Sequence, residues 1–561
     1  MSTPEPNPRI ARWEWAAALL LVLAALVPRV RDLRAGFDRS FEGFQGAFFA
    51  MAALNYERAG VGAFGGYPLV NLELDRERPA TWYTYENHPP TVPLLAWASV
   101  RAAAPRDPRG ELWSESWRSA RAPYGIEPAL RAPFLALHLL GLAALWWCVR
   151  QGARASEALL ALAIAAALPI SAVYGTLVNY ENPSLVFVLL GTGCCLRWLR
   201  AMRGRALAGC ALWFAAAGAV TYAPAFFALA LGLWALARAG LRRGGAVFVA
   251  ALGGALAPLL AHAWLAHEAL ASIGRSSMPL ARRALLLWGP MFERESAPWH
   301  WLGLQIERCA EHFTLPILLA ATLGALLLAA RSLARRRTQR ARAAMPHAHR
   351  SAAEVAEYSA AVPLACGGLL VLLGFYRHTF DPQTPFLLNL APGAAALAAV
   401  ALERARTALG PRAARSAAPA VALAGLLVLP GLLRTDELRA RWRAPGPLDE
   451  PAGARGPEQA LPRTEGARIA ELIEPGAVGL YPEAAGLTVA TSFYAWRTLL
   501  PLPQRAWSAA LGLARAPHYV LVPLQGEAAR APQVRALAAE LRAGSPPVRE
   551  NAHWAAWPAP P

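Results

Sequence analysis

Long apolar runs alternate with polar stretches along this chain, and arginines gather at every second boundary. The first run, Trp13–Val27, follows an arginine-bearing start and lacks a small-residue cleavage site, so it reads as a retained membrane span. Others lie near Leu130–Val149 and Glu157–Val173, and a fourth ends at Arg197 and Arg200. Ala206–Ala237 reads as a hairpin of two short spans turning at "TYAPA", and Val247–Leu265 follows it. The next run ends in "RSLARRRTQRAR"; Ala360–Gly374, Pro385–Leu402 and Pro419–Leu433 complete the series. With basic residues kept on one side, this makes about eleven spans.

That alternation leaves a long outer stretch, Pro28 to about Pro128. Within it "PPTVPLLAWASVRAAAP" holds roughly a dozen apolar residues, too few for the ~20 a crossing helix needs. It is expected to lie along the outer surface. "GAFFAMAALNYERAG", from Gly46, has helical spacing and reads as a second surface-lying helix with acids just before it.

After Arg434 the character changes. A Pro/Gly/Arg linker leads to an amphipathic helix pattern, "TEGARIAELIEPG", with Thr464 as its cap and Gly476 after its stop. "AVGLYP" and "HYVLVPL" read as buried strands and "APQVRALAAELRAG" as another helix, without a nucleotide-binding glycine signature. The expected fold is thus an α-helical polytopic membrane protein with juxtamembrane helices and a small C-terminal outer α/β domain. Residues 1–433 form the membrane domain, and residues 434–561 the linker and outer domain.

Composition agrees: 56% hydrophobic residues and 20 Trp are too apolar for one soluble domain. Of the six Cys only Cys309 lies in a polar loop, so no disulfide framework is implied. The net charge of +18 is carried by arginine alone, for there is no lysine. It clusters beside apolar runs, not in a stripe, and implies no nucleic-acid partner. Any phosphate must then be held by Arg, His or backbone groups.

Ionisable groups at span ends are functional candidates, because lipid makes them costly. Three outer stretches supply them: Asp32, Asp38 and Glu42 after the first span; Glu86, Asn87 and His88 in "YENHPP"; and Arg377, His378 and Asp381 in "FYRHTFDPQ". Glu181, in "NYENPS", is a cap or a further acid. The bland alternative is solvation of helix ends, and it suits Arg31, Asp32 and Arg34 best. A metal site from Glu86, His88, His378 and Asp381 is chemically possible, but their spacing carries no ligand motif, so no metal or cofactor is expected.

With "GAFFAMAALNYERAG", "HPPTVPLLAW" and "EPALRAPF" following an outer carboxylate, the chain resembles the GT-C membrane glycosyltransferases, nearest the protein O-mannosyltransferases and the lipid A aminoarabinose transferase (family 39-like). The resemblance implies an acid in the first outer loop (Glu42 or Asp38), a basic-Pro-Pro element (His88-Pro89-Pro90) and an arginine entering the second span (Arg131). Two departures stand out: the family's Asp-Glu pair is not intact, and its Lys-Pro-Pro lysine is His88. The resemblance further implies a polyprenyl-phosphate sugar donor and transfer to a lipid, glycan or protein hydroxyl at the outer face of the cytoplasmic (inner) membrane. A carboxylate would act as base, and Arg131, Arg377, His378 and His88, with Glu86 and Glu181 nearby, would serve the substrate and its phosphate. The rival readings are a transporter or flippase of a lipid-linked sugar, which would show internal repeats, and a non-enzymatic envelope assembly protein, which would tolerate loss of Glu42 and His88.

Overall fold

A computed structural model describes residues 10–34, 37, 41–69, 85–103, 126–272, 298–343, 359–380, 384–408, 425, 429–435, 437, 468–474, 478–482, 498–501, 517–525 and 529–559. Among them six helices are long and apolar enough to cross a bilayer. These are α1 (Arg12–Val30), α4 (Glu127–Arg150), α7 (Glu181–Ala201), α9 (Ala223–Ala271), the Leu315–Ala334 part of α11 (Leu315–Ala343), and the Pro385–Ala408 stretch that includes α14 (Ala391–Ala408). Two shorter apolar helices, α5 (Ala155–Ala167) and α12 (Ala361–Gly374), lie between them.

The hairpin expected at "TYAPA" is present as α8 (Gly204–Gly218) followed by α9. α9 is two helices meeting at Gly240, whose φ of 74° and ψ of 176° only glycine adopts without strain. The single span expected over Glu157–Val173 is instead broken into α5 and α6 (Pro169–Tyr174). Pro169 has no N–H to continue the helix and pushes Leu168 out of it, to ψ 130°. The last expected span, Pro419–Leu433, falls largely outside the described residues.

α4 packs on α7, α7 on α8, α8 on α9, α9 on α12, and α14 on α5, α11 and α12. Alanine makes these contacts close: Ala158 and Ala161 of α5 and Ala395, Ala398 and Ala399 of α14 are fully buried. The outward faces are apolar instead. Leu315, Leu319, Leu323 and Leu326 of α11 are 50–63% exposed along one stripe, a surface suited to lipid and not to water.

The first outer stretch differs from expectation. α2 begins at Phe41 (Phe41–Ala59), so Glu42 lies in its first turn and not before it. Nor does α2 lie on the surface: Ala47, Phe49, Ala50, Ala53, Leu54 and Tyr56 are all buried. α3 (Thr91–Ala103) covers it, with Trp97 Nε1 donating to Glu57 Oε2 at 3.0 Å. Helical spacing identified the element, but its apolar middle, Ala47–Leu54, calls for burial on more than one side.

The C-terminal strands form one five-stranded sheet, in the order β2 (Thr498–Pro501), β1 (Val478–Tyr481), β3 (His518–Pro523), β5 (Trp554–Pro558), β4 (Arg549–Glu550). β1 is parallel to β2 and β3, and β5 is antiparallel to β3 and β4. Alternate residues of β5 feed two cores: Trp554 and Ala556 join Ile469, Ile473 and Leu521, while Ala555 and Trp557 join Val520 and the helix α15 (Pro532–Gly544). β1, β3 and α15 match expectation; of the amphipathic helix only residues 468–474 are described, and Thr464 and Gly476 lie outside.

Candidate active site

The loop "YENHPP" delivers His88 to the start of α3. Two prolines fix the bend, and Thr91 anchors it by donating its hydroxyl to the Ala219 carbonyl. His88 Nδ1 then lies 3.2 Å from Thr221 Oγ1, in the turn between α8 and α9. Its ring stacks on Tyr180, with centroids 4.2 Å apart and planes 28° apart, and sits 5.7 Å from Tyr222. Burial, reinforced by Tyr85, Tyr56 and Glu181, holds the Tyr180 phenol protonated, well above its ordinary range.

Tyr180 immediately precedes Glu181, the first residue of α7. Glu181 is only 8% exposed, and its Oε2 is buried without a hydrogen-bond partner. A carboxylate in that position costs stability unless something else uses it. α2 joins the same cluster from the other side: Phe49 meets Tyr180 edge-on at 5.5 Å, and Phe48 meets Tyr85 at 5.0 Å. Glu42 stands two turns before Phe49, ~10 Å along the helix. Its side chain, like Asp38 as a whole, lies outside the described residues.

Arg131, one turn into α4, donates from Nη1 to the Asp32 carbonyl at 2.9 Å and places its guanidinium 5.4 Å from the centre of the Phe37 ring. Phe37 in turn presses on Gly46, where a Cβ would come within 2.5 Å of the ring. Arg131 thus holds Asp32 and Phe37, both on the N-terminal side of Asp38 and Glu42. Glu86 lies beside His88 in the loop, half-buried.

Arg377 is exposed, on the short helix α13 (Tyr376–Phe380). α10 (Pro298–Phe313) pins that helix: Trp301 Nε1 donates to Thr379 Oγ1 at 3.0 Å and Gln305 Nε2 to the Thr379 carbonyl at 2.8 Å. Its link to the ring cluster is indirect, through Phe375 against Phe226, 5.9 Å apart. The His378 side chain and Asp381 lie outside the described residues. Among the described residues no three His, Cys, Asp or Glu groups converge as a metal ion requires.

Two parts of the site carry no local sequence signal. The first is His262, far along α9, whose Nδ1 lies 2.8 Å from the Tyr67 hydroxyl and whose ring is 6.1 Å from Tyr222. Tyr56 and Asn55 hold the turn that bears Tyr67, donating to the Gly66 and Leu69 carbonyls. Tyr222 therefore stands between two histidines. The second is a chain of polar groups behind Glu181. Fully buried Arg29 donates to the carbonyls of Ala25 (2.6 Å), Ala166 (2.9 Å) and Ser171 (3.3 Å), and to Ser171 Oγ (3.2 Å). Ser171 Oγ meets His138 Nε2 at 3.1 Å, and His138 Nδ1 meets Asn182 Oδ1 at 3.1 Å. Because Asn182 Nδ2 donates to the Tyr174 carbonyl (2.8 Å), its Oδ1 accepts, which assigns the His138 proton to Nδ1 and the Ser171 proton to the bond with Nε2. Each buried group left without its partner would cost about 1–3 kcal/mol, so the chain fixes the turn from which Glu181 starts α7.

The site's parts fall largely within one stretch of matched sequence. Residues 126–267 match the family model described as dolichyl-phosphate-mannose-protein mannosyltransferase, a range that takes in Arg131, Glu181, Tyr222 and His262. No curated protein sequence matches the chain significantly. Among solved structures, ArnT from Cupriavidus metallidurans bound to undecaprenyl phosphate superposes with a TM-score of 0.54 at 14% identity, covering 97% of this chain and 98% of that one. ArnT in the apo state gives 0.52 at 12% identity, covering 98% of each chain. The Archaeoglobus fulgidus oligosaccharyltransferase in the apo form gives 0.48 at 13% identity, covering 92% of this chain and 70% of that one. The ArnT likeness establishes the fold, and within it residues 126–267 form a segment that matches the protein-mannosyltransferase family model.

Proposed function

We propose that the protein transfers a sugar from a polyprenyl-phosphate donor to an acceptor hydroxyl at the outer face of the cytoplasmic membrane. The observation that carries this reading is the convergence, at one end of the helices, of His88, the buried Glu181 carboxylate and the α2 helix that starts beside Glu42. The family match over residues 126–267, which includes Glu181 but not His88 or α2, supports it, as does the undecaprenyl phosphate bound by the ArnT of this fold. In this reading a carboxylate (Glu42, Asp38 or Glu181) removes the acceptor proton as the hydroxyl attacks the anomeric carbon. Charge develops on the lipid phosphate as it leaves an oxocarbenium-like sugar. In this reading Arg131 and His88 meet that charge, and Arg377 and His378 serve at the outer margin. With the arginines kept on the inner side, this reading has this end and the C-terminal sheet outside, about eleven spans, and a membrane domain ending near residue 433.

The test in cells is mass spectrometry of envelope glycolipids and glycoproteins with and without the gene. Loss of one glycosylated lipid, glycan or protein species, with accumulation of a polyprenyl-phosphate sugar, is the expected result and identifies the acceptor. Unchanged glycoconjugates, with the donor redistributed between the two leaflets, would favour the flippase reading instead.

A further inference from the structure

The other end of the same helices carries a second built feature. α4 runs from Arg131 to Arg150 and α7 from Glu181 to Arg200, so each pair is ~28 Å apart. At the far end a cavity of about 600 Å³ is lined by Arg150, Arg154, Arg200, Arg238, Arg331 and Arg404, against two carboxylates, Glu157 and Glu403. The arginines come from α4, the turn before α5, α7, α9, α11 and α14, so it is the packing of the bundle that assembles them. The neighbouring acids are already engaged. Glu403 accepts from Arg406 Nε (2.9 Å) and Nη2 (2.7 Å), with Arg154 at 3.7 Å. Glu14, 4% exposed, accepts from Arg150 Nε at 2.6 Å and Nη2 at 3.3 Å. A positive excess therefore stands in a concave site, where low-dielectric walls focus its field.

The remaining wall combines apolar side chains (Trp234, Leu328, Val362 and Val400) with the hydroxyls of Ser332, Ser359 and Thr407. Between α9 and α11 the rim reaches the lipid-facing surface: Arg238 Nη2 donates to Ser332 Oγ at 2.8 Å, and the adjacent Leu233 and Leu333 are 51% and 59% exposed. Guanidiniums and hydroxyls beside an apolar patch that opens sideways match a phosphate joined to an acyl chain. We infer that this cavity binds the headgroup phosphate of an anionic membrane lipid, at the end of the protein remote from the transfer site. Free phosphate shares the charge chemistry but would leave the apolar patch unused.

The experiment uses the full chain in phosphatidylcholine nanodiscs containing a small fraction of phosphatidylglycerol, with retained lipids counted by native mass spectrometry. Wild type is expected to hold one phosphatidylglycerol tightly. Arg154→Gln/Arg238→Gln is expected to weaken that retention by about tenfold or more. Both residues are exposed, so the pair leaves the helix packing intact; a monodisperse elution profile verifies this, and Arg238→Gln alone serves if the pair aggregates. Arg242→Gln/Arg243→Gln removes two exposed arginines outside the cavity and is expected to leave retention unchanged. Equal losses in the two pairs would reduce the effect to general surface attraction and overturn the site. No loss in the cavity pair would overturn it too. Millimolar inorganic phosphate is expected to displace nothing; phosphate binding with the same arginine dependence, and no retained phosphatidylglycerol, would overturn the lipid assignment.

Discussion

Glu181→Gln will lower sugar transfer by at least about a hundredfold, the smaller end of what a positioned general base contributes, while leaving the protein as stable as wild type or more so. The two halves of that result have one cause. Glu181 is buried with an oxygen that makes no hydrogen bond, a state that disfavours the folded protein. Glutamine keeps the shape and removes the charge, so a purely structural carboxylate would show either no change in activity or a loss of stability along with it. Glu42→Gln is expected to give a loss of similar size, because Glu42 heads the helix that packs Phe48 and Phe49 against the same cluster two turns further on. Asp38→Asn distinguishes the two acids of the first loop. Thermal unfolding in detergent alongside initial rates of transfer reads both quantities. If Glu181→Gln and Glu42→Gln both turn over within a few-fold of wild type, neither is the base and Asp38 becomes the remaining carboxylate.

The second large effect concerns the leaving phosphate. Arg131→Ala is expected to reduce kcat/KM for the polyprenyl-phosphate donor by about a hundredfold or more, the scale of losing one preorganised donor to developing charge. Arg131→Lys should recover only part of it, since an ammonium keeps the charge but loses the fork that also grips the Asp32 carbonyl. His88→Ala should weaken donor use as well. His88→Phe preserves a ring to stack on Tyr180 and should restore stability without restoring rate. Arg377→Ala is expected to cost less than Arg131→Ala, because Arg377 is exposed, on the short helix that follows Phe375. An Arg377→Ala loss exceeding that of Arg131→Ala would move the phosphate to the outer margin of the site.

What the sequence made legible, and what it did not, follows the range of the interactions. The "TYAPA" hairpin, α3, β1, β3 and α15 were all readable, because periodicity and turn residues within a dozen positions determine them. The start of α2 was not: "SFEGFQG" shows no helical spacing before Gly46, yet the helix begins at Phe41. β2 and β5 were missed for a related reason. "WAAWP" has no β-branched residue, and it becomes a strand because β3 and β4 pair with it. His88, Arg131 and Glu181 could be proposed as span-end ionisable groups, each from its own neighbourhood. The contacts that build their surroundings are different in kind. Arg29 with Ser171, Thr221 with His88, and Tyr67 with His262 each join residues more than a hundred positions apart. No local pattern encodes such partners.

The central claim is that this end of the bundle moves a sugar off a lipid phosphate. Its most direct test is incubation of the purified, detergent-solubilised protein with a radiolabelled polyprenyl-phosphate sugar and envelope extract, followed by separation of the lipid products. Label passing to an acceptor as polyprenyl phosphate is released, in wild type and not in Glu181→Gln, is the predicted result. Donor left intact by wild type in the presence of an acceptor extract, or consumed equally by Glu181→Gln and by wild type, would contradict it.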